Sequence, residues 1–138
     1  MMVTGQKVIT DVIALLRQTE LPSVIGGGIY RQGTRPRDSR AEDLVVIFTT
    51  GDAGQFQKGL VTLNIYVPDI GAVGSDGVNY EDSARCEEIE AAALKAVESL
   101  RAYKSDYLFR LRDAIFTQRD ESINQSFVVV RLGFKYIV

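Results

Sequence analysis

Two long runs of strict alternation constrain this chain more than any other feature. From Leu60 to Val67, the residues Val61, Leu63, Ile65 and Val67 point one way and Thr62, Asn64 and Tyr66 the other. From Ser126 to Val138, Val128, Val130, Leu132, Phe134 and Tyr136 share one face, opposed by Arg131, Gly133 and Lys135. A period of two marks a strand with one apolar and one polar face. Pro68 closes the first run, because it donates no ladder hydrogen bond. Strands of this kind need further strands beside them and a second layer over the apolar face.

The rest of the chain supplies both. Thr4 is placed to cap a helix in which Val8, Ile9, Val12, Ile13, Leu15 and Leu16 recur at helical spacing through Arg17. Leu21-Pro22 is expected to stop that helix, since a residue before proline is pushed out of the helical region. A glycine-rich turn follows, leading into a short strand around Ile29-Tyr30, and Asp43 to Thr50 reads as a strand covered on both faces. Gly51 to Gly59 is the expected connection to the first alternating run.

Glu81 and Asp82 precede a second helix that reaches about Leu100, with acidic residues where the helix dipole favours them. Cys86, Ile89, Ala93, Val97 and Leu100 form its stripe, and Ala92 and Ala96 beside them permit close approach to a sheet. Tyr107 to Phe116 is β-like, and the polar stretch Gln118 to Gln125 is the turn into the last strand. The order α, β, β, β, α, β, β predicts one α+β domain over residues 1–138. Its sheet is mainly antiparallel, of about four to five strands packed against two helices.

Composition bounds the function classes. At 138 residues, 46% hydrophobic and 25% charged, the chain has the makings of one globular core. A formal net charge of −2 gives no overall pull toward nucleic acid. No apolar run approaches a membrane span, and the first residues lack a basic region followed by an apolar core, so a cytosolic protein with no membrane contact is expected. A single cysteine, Cys86, permits no internal disulfide. There is no histidine, which excludes serine–histidine, cysteine–histidine and histidine-ligated metal mechanisms. Carboxylate, lysine or tyrosine chemistry stays open.

Several constellations have both a chemical and a plain structural reading. Gly26-Gly27-Gly28 lacks the Gly-Lys-Ser/Thr that a phosphate loop needs, and a tight turn at positive backbone angles explains it. The stretch from Asp69 to Asp82 carries Asp69, Asp76, Asn79, Glu81 and Asp82 among glycines, so a small ligand- or metal-binding module using that loop is the alternative function. Its spacing does not match an EF-hand, and turn and capping roles account for the same residues. Cys86 lies among Glu87, Glu88 and Glu90, which work against a thiolate.

Arg31, Arg35, Arg37 and Arg40 form the one local basic cluster, on an arm from Gln32 to Glu42 with little apolar content. Without interleaved aromatic residues, and diluted by Asp38, Glu42 and Asp43, it is a poor nucleic-acid site. An exposed, mobile arm over about residues 31–43, ordering on a neighbouring subunit, is the functional reading.

The pieces Gly28-Ile29-Tyr30, Arg35-Pro36, Ser39, Glu42 to Val46, Gln57 with Gly59, and Asn64 to Asp69 form a pattern. With Arg119-Asp120-Glu121 and Phe127 to Phe134, it resembles the tail-terminator, or tail-completion, proteins of long-tailed phages and prophages. The resemblance implies a virion structural protein that assembles in the host bacterial cytoplasm as a ring, often a hexamer. It would cap the tail tube and contact the head-side connector, without catalytic residue, cofactor or metal. The candidate subunit contacts are Arg31, Arg35, Arg37 and Arg40 on the arm, and Gln55, Phe56 and Gln57 on the connection.

Overall fold

The computed structural model describes residues 2–54, 57–71 and 79–137. Among them, helix α1 spans Gly5–Leu16, α2 Leu21–Val24 and α3 Ser83–Ala102. The strands are β1 (Ile29–Arg31), β2 (Leu44–Gly51), β3 (Gln57–Pro68), β4 (Tyr107–Leu111), β5 (Phe116–Asp120) and β6 (Gln125–Tyr136). The fold is α+β, as the pattern predicts, with six strands and three helices among the described residues where about four to five strands and two helices were expected.

The sheet runs β1-β2-β3-β6-β4, with β5 also paired to β6. Among the described residues only the β1–β2 pair is parallel. The two alternating runs lie side by side as β3 and β6, in register from Gln57↔Tyr136 to Pro68↔Gln125. That register puts Val61, Leu63 and Ile65 beside Leu132, Val130 and Val128 on one face, where all are buried. Val8, Ile9, Val12 and Leu16 of α1 and the Cys86–Leu100 stripe of α3 complete the same core. Both long helices therefore cover one face, because both alternations point their apolar sides that way. The opposite face carries Thr62, Asn64, Tyr66, Phe127, Val129 and Arg131.

Element boundaries differ from expectation for local reasons. α1 ends at Leu16, ahead of the proline, because the Thr19 hydroxyl donates to the Leu16 carbonyl at 2.6 Å and accepts from Leu21 N–H. Pro22 does not act as the stop; it sits in the first turn of α2, where its missing N–H costs nothing. β3 starts at Gln57, so the hairpin connection is shorter than Gly51–Gly59.

The single strand expected from Tyr107 to Phe116 is two. Leu111 pairs with Leu132 and Phe116 with Val129, so residues 112–115 oppose only Val130 and Arg131 and bulge out of the ladder. An Arg131–Asp113 ion pair at 3.1 Å spans the bulge. The following turn is also tighter than Gln118–Gln125, since β5 holds register to Asp120↔Gln125. A 3₁₀ turn, Glu121–Ile123, and Asn124 at φ 53° close it.

Candidate functional site

One end of the sheet gathers the starts of β2 and β6 and the end of β3, and the arm folds onto it. Asp43, just before β2, is 1% exposed and is the hub. Its carboxylate accepts from Gly28 N–H at 3.0 Å, from Arg35 Nε at 2.9 Å and from the Ser39 hydroxyl. Arg35 also donates through Nη2 to the carbonyls of Ser39 and Ala41 and to Gln125 Oε1 at 2.9 Å. Its guanidinium stacks 3.8 Å from the centre of the Tyr66 ring. Gln125, 3% exposed, returns a bond from Nε2 to the Ser39 carbonyl. Burial pushes the Asp43 carboxyl up, but Ser39, Gly28 and Arg35 outweigh it and hold the group below its ordinary value.

Two further ion pairs flank this hub. Glu42 accepts from Arg85 Nε at 2.6 Å and Nη2 at 2.8 Å, and from Gly26 N–H at 2.9 Å. The Arg85 guanidinium, opposed by burial and aided by Gly26, lowers the Glu42 carboxyl's affinity for protons. On the other side Arg119 grips the fully buried Asp69 side chain with two nitrogens. Arg119 also donates to Ser126 Oγ, which donates to Glu81 Oε1 at 2.8 Å.

This network accounts for the glycine triplet. A Cβ on Gly27 would lie 2.6 Å from the Glu42 carbonyl carbon and collide with the Asp43 carboxylate. Among the described glycines only Gly33 has a positive φ. The triplet is thus a close approach of backbone to carboxylates, a turn but not one that needs left-handed angles. It cradles the protein's own acids rather than a phosphate.

The four arm arginines do not act together. Arg31 donates to the Gln6 and Thr10 side chains and to the Gln6 carbonyl, fastening the arm to α1. Arg35 is locked in the hub. Arg37 and Arg40 are exposed and make no ion pair among the described residues. The arm is therefore pinned at two points, where low apolar content predicts mobility; charge and hydrogen bonding replace burial as the anchor. Gln57 also turns inward, exchanging two bonds with the Val3 backbone at 2.9 and 2.6 Å. Gln55 and Phe56 lie outside the described residues.

All three described acids of the Asp69–Asp82 loop are engaged within the chain. Asp69 holds Arg119, Glu81 holds Ser126 and Ser83, and Asp82 caps α3 by accepting from Arg85 N–H. An Ile70↔Tyr80 bridge ties its base, and Asp76 lies outside the described residues. Among the described residues, no three metal-ligating side chains converge. Cys86 is 3% exposed, and burial and then Glu81 push its thiol up to about 11.

Sequence reasoning missed the hub because its members are far apart in the chain: Gln125 is 90 residues from Arg35. Arg35, Ser39, Glu42, Asp43, Asp69 and Arg119 all meet at this end of the sheet. No family model matches the chain, and no curated protein matches it significantly.

Proposed function

We propose that this protein is a virion structural subunit of tail-terminator type, working by self-association into a ring at the end of a phage tail tube. The observation that carries the reading is the sheet face opposite the helices. Val45, Leu60 and Val129 on it are at most 7% exposed yet lie outside the main core. Around them stand the partly exposed Tyr30, Ile47, Tyr66 and Phe127, and Phe116 is 42% exposed. No helix packs on this face among the described residues. Tyr30, Ile47, Phe127 and Phe116 therefore leave apolar area partly open on a face no helix covers, and area of this sort supports an interaction site. The polar network behind the arm supports the same role, for it makes a rigid platform rather than an open pocket.

Disrupting the gene in a phage or prophage that carries it tests the reading. Electron microscopy of the lysate is expected to show unjoined heads and tails, or tubes of uncontrolled length. Normal yields of joined virions would overturn it.

A further inference from the structure

β4 is the last strand on its side of the sheet, and its outer edge is open. The Arg112 N–H donates to the Arg131 carbonyl at 2.9 Å, and the Ile137 N–H to the Asp106 carbonyl at 2.9 Å. Antiparallel ladders alternate, so Leu108 and Arg110 bond to β6 while Tyr107, Phe109 and Leu111 turn their N–H and C=O outward. The chain closes the first of these itself. The Ser105 hydroxyl accepts from Tyr107 N–H at 3.2 Å and donates to the Tyr107 carbonyl at 3.3 Å. Among the described residues, nothing pairs with the outward groups of Phe109 and Leu111. The break at 112–115 then ends the edge. Unpaired strand edges are templates for one more strand.

The flanks decide what kind of strand fits. On the helix side, α3 and the edge enclose a groove of about 440 Å³ lined by Ala91, Leu94, Leu111, Ala114 and Ile115. Two acids border it, and one of them, Glu90, already accepts from the Thr117 hydroxyl at 2.6 Å. Further along α3, Glu98 and Arg101 are both exposed, so this side is mixed in charge and selects apolar content. On the opposite side, Leu108 is 57% exposed, and Arg110 and Arg112 make no ion pair among the described residues. The neighbouring Asp113 is taken by Arg131 and does not answer them. Of eight large hydrophobic side chains exposed among the described residues, four border this edge: Leu94, Leu108, Phe116 and Ile137. A strand laid along β4 would cover Leu94 and Leu108 from between them.

We infer that the β4 edge takes an extended segment of another protein as an added strand. Its inward residues are apolar, against Leu94 and Leu111, and its outward residues acidic, against Arg110 and Arg112. Main-chain bonds to Phe109 and Leu111 supply the attachment, and the two flanks supply the selectivity. A second copy of this chain does not meet the description. β4 against β4 would bring Arg110 beside Arg110, and no described strand carries an acid before Asp120 at the end of β5. The short length, the arginines and the break keep bare strands away while admitting one of complementary charge. The site goes beyond the ring reading and stands whether or not that reading holds.

Hydrogen exchange and calorimetry on the full chain test this. In the free protein, the Phe109 and Leu111 amides should exchange faster than that of Arg110, which lies in the ladder. The probe is a short end-blocked peptide in which valine alternates with glutamate. It should bind saturably and slow exchange at Phe109 and Leu111. Methylating its backbone nitrogens at alternate residues removes the main-chain donors and should weaken binding about tenfold or more. A valine–lysine peptide should be rejected by the wild type and accepted by Arg110→Glu. Leu94→Glu should weaken the valine–glutamate peptide about tenfold or more, with circular dichroism unchanged because Leu94 is exposed. No binding, or binding indifferent to both methylation registers, overturns the added strand. Binding that leaves the Phe109 and Leu111 amides unprotected overturns the site. Protection of those amides that grows with protein concentration alone assigns the edge to a second copy and overturns the inference too.

Discussion

The sheet-end network and the outer-face cations are both rich in charge, yet they are built on opposite terms. At the sheet end each charge finds its partner inside the chain: Asp43 with Arg35, Glu42 with Arg85, Asp69 with Arg119. On the outer face Lys58, Arg110 and Arg112 stand together with exposed Leu108 and no ion partner among the described residues. Paired, buried charge holds a fold in one arrangement, at a desolvation cost that only complete pairing offsets. Unpaired charge in water costs little and remains available to another molecule. The contrast separates charge that this chain satisfies within itself from charge that it leaves to the solvent.

The largest expected effect comes from breaking the first kind of charge. Asp43→Ala leaves Arg35 and the Gly28 N–H without their acceptor, and is expected to cost about 3–5 kcal/mol, as loss of one partner from a buried pair does. Arg110→Ala, at an exposed site, should stay within about 0.5 kcal/mol of wild type. Urea denaturation of both variants measures the difference. Equal stabilities would erase the distinction between the two regions.

The next effect is a pH dependence confined to the sheet end. Asp43 and Glu42 both have carboxyls held below their ordinary values. A carboxyl depressed in the folded state adds stability that is present above its unfolded value, near ~4. That stability is lost as pH falls through the lower folded value. Asp43→Asn cannot lose it this way, so its Tm deficit against wild type should be widest near neutral pH and shrink below about 4. A deficit of constant size from neutral to acid would show that Asp43 acts by shape alone. At the alkaline end Cys86, raised to about 11, contributes until pH climbs past its unfolded value and on through that figure.

This contrast also marks what could be read from the chain. The alternations at Val61–Val67 and Val128–Tyr136, and the α3 stripe, are periodic and local, so the α+β core was legible from them. The break at 112–115 was not: it comes from pairing two segments with β6, which no local propensity encodes. The turn that follows Leu16 is closed by backbone bonds and by the Thr19 hydroxyl, which no periodicity marks. Charge pairing was the least legible feature. Arg35 and Arg37 differ by two positions in an arm of uniform composition, yet only Arg35 meets Asp43 and Gln125. The cations of β3, β4 and β6 become neighbours only once the register is known.

The smallest expected effect sharpens the comparison inside the arm. Arg37 and Arg40 are exposed and without an ion partner among the described residues, so neither shares the contacts that fix Arg31 to α1 and Arg35 in the sheet-end network. Replacing both with Ala should leave stability within about 0.5 kcal/mol of wild type, because it removes no buried contact and no occupied acceptor. Arg35→Ala in the same arm should lose several charge-assisted bonds and the stack on Tyr66, a cost of about 2–4 kcal/mol. Deleting residues 32–42 outright would confound the two, since it removes anchor and free cation together. Thermal melts of the two substitutions, set beside their assembly measured by light scattering, separate them. Arg37/Arg40 loss that alters assembly at unchanged Tm assigns those side chains to a neighbour. Loss that lowers Tm as much as Arg35→Ala would return all four arginines to a single structural cluster.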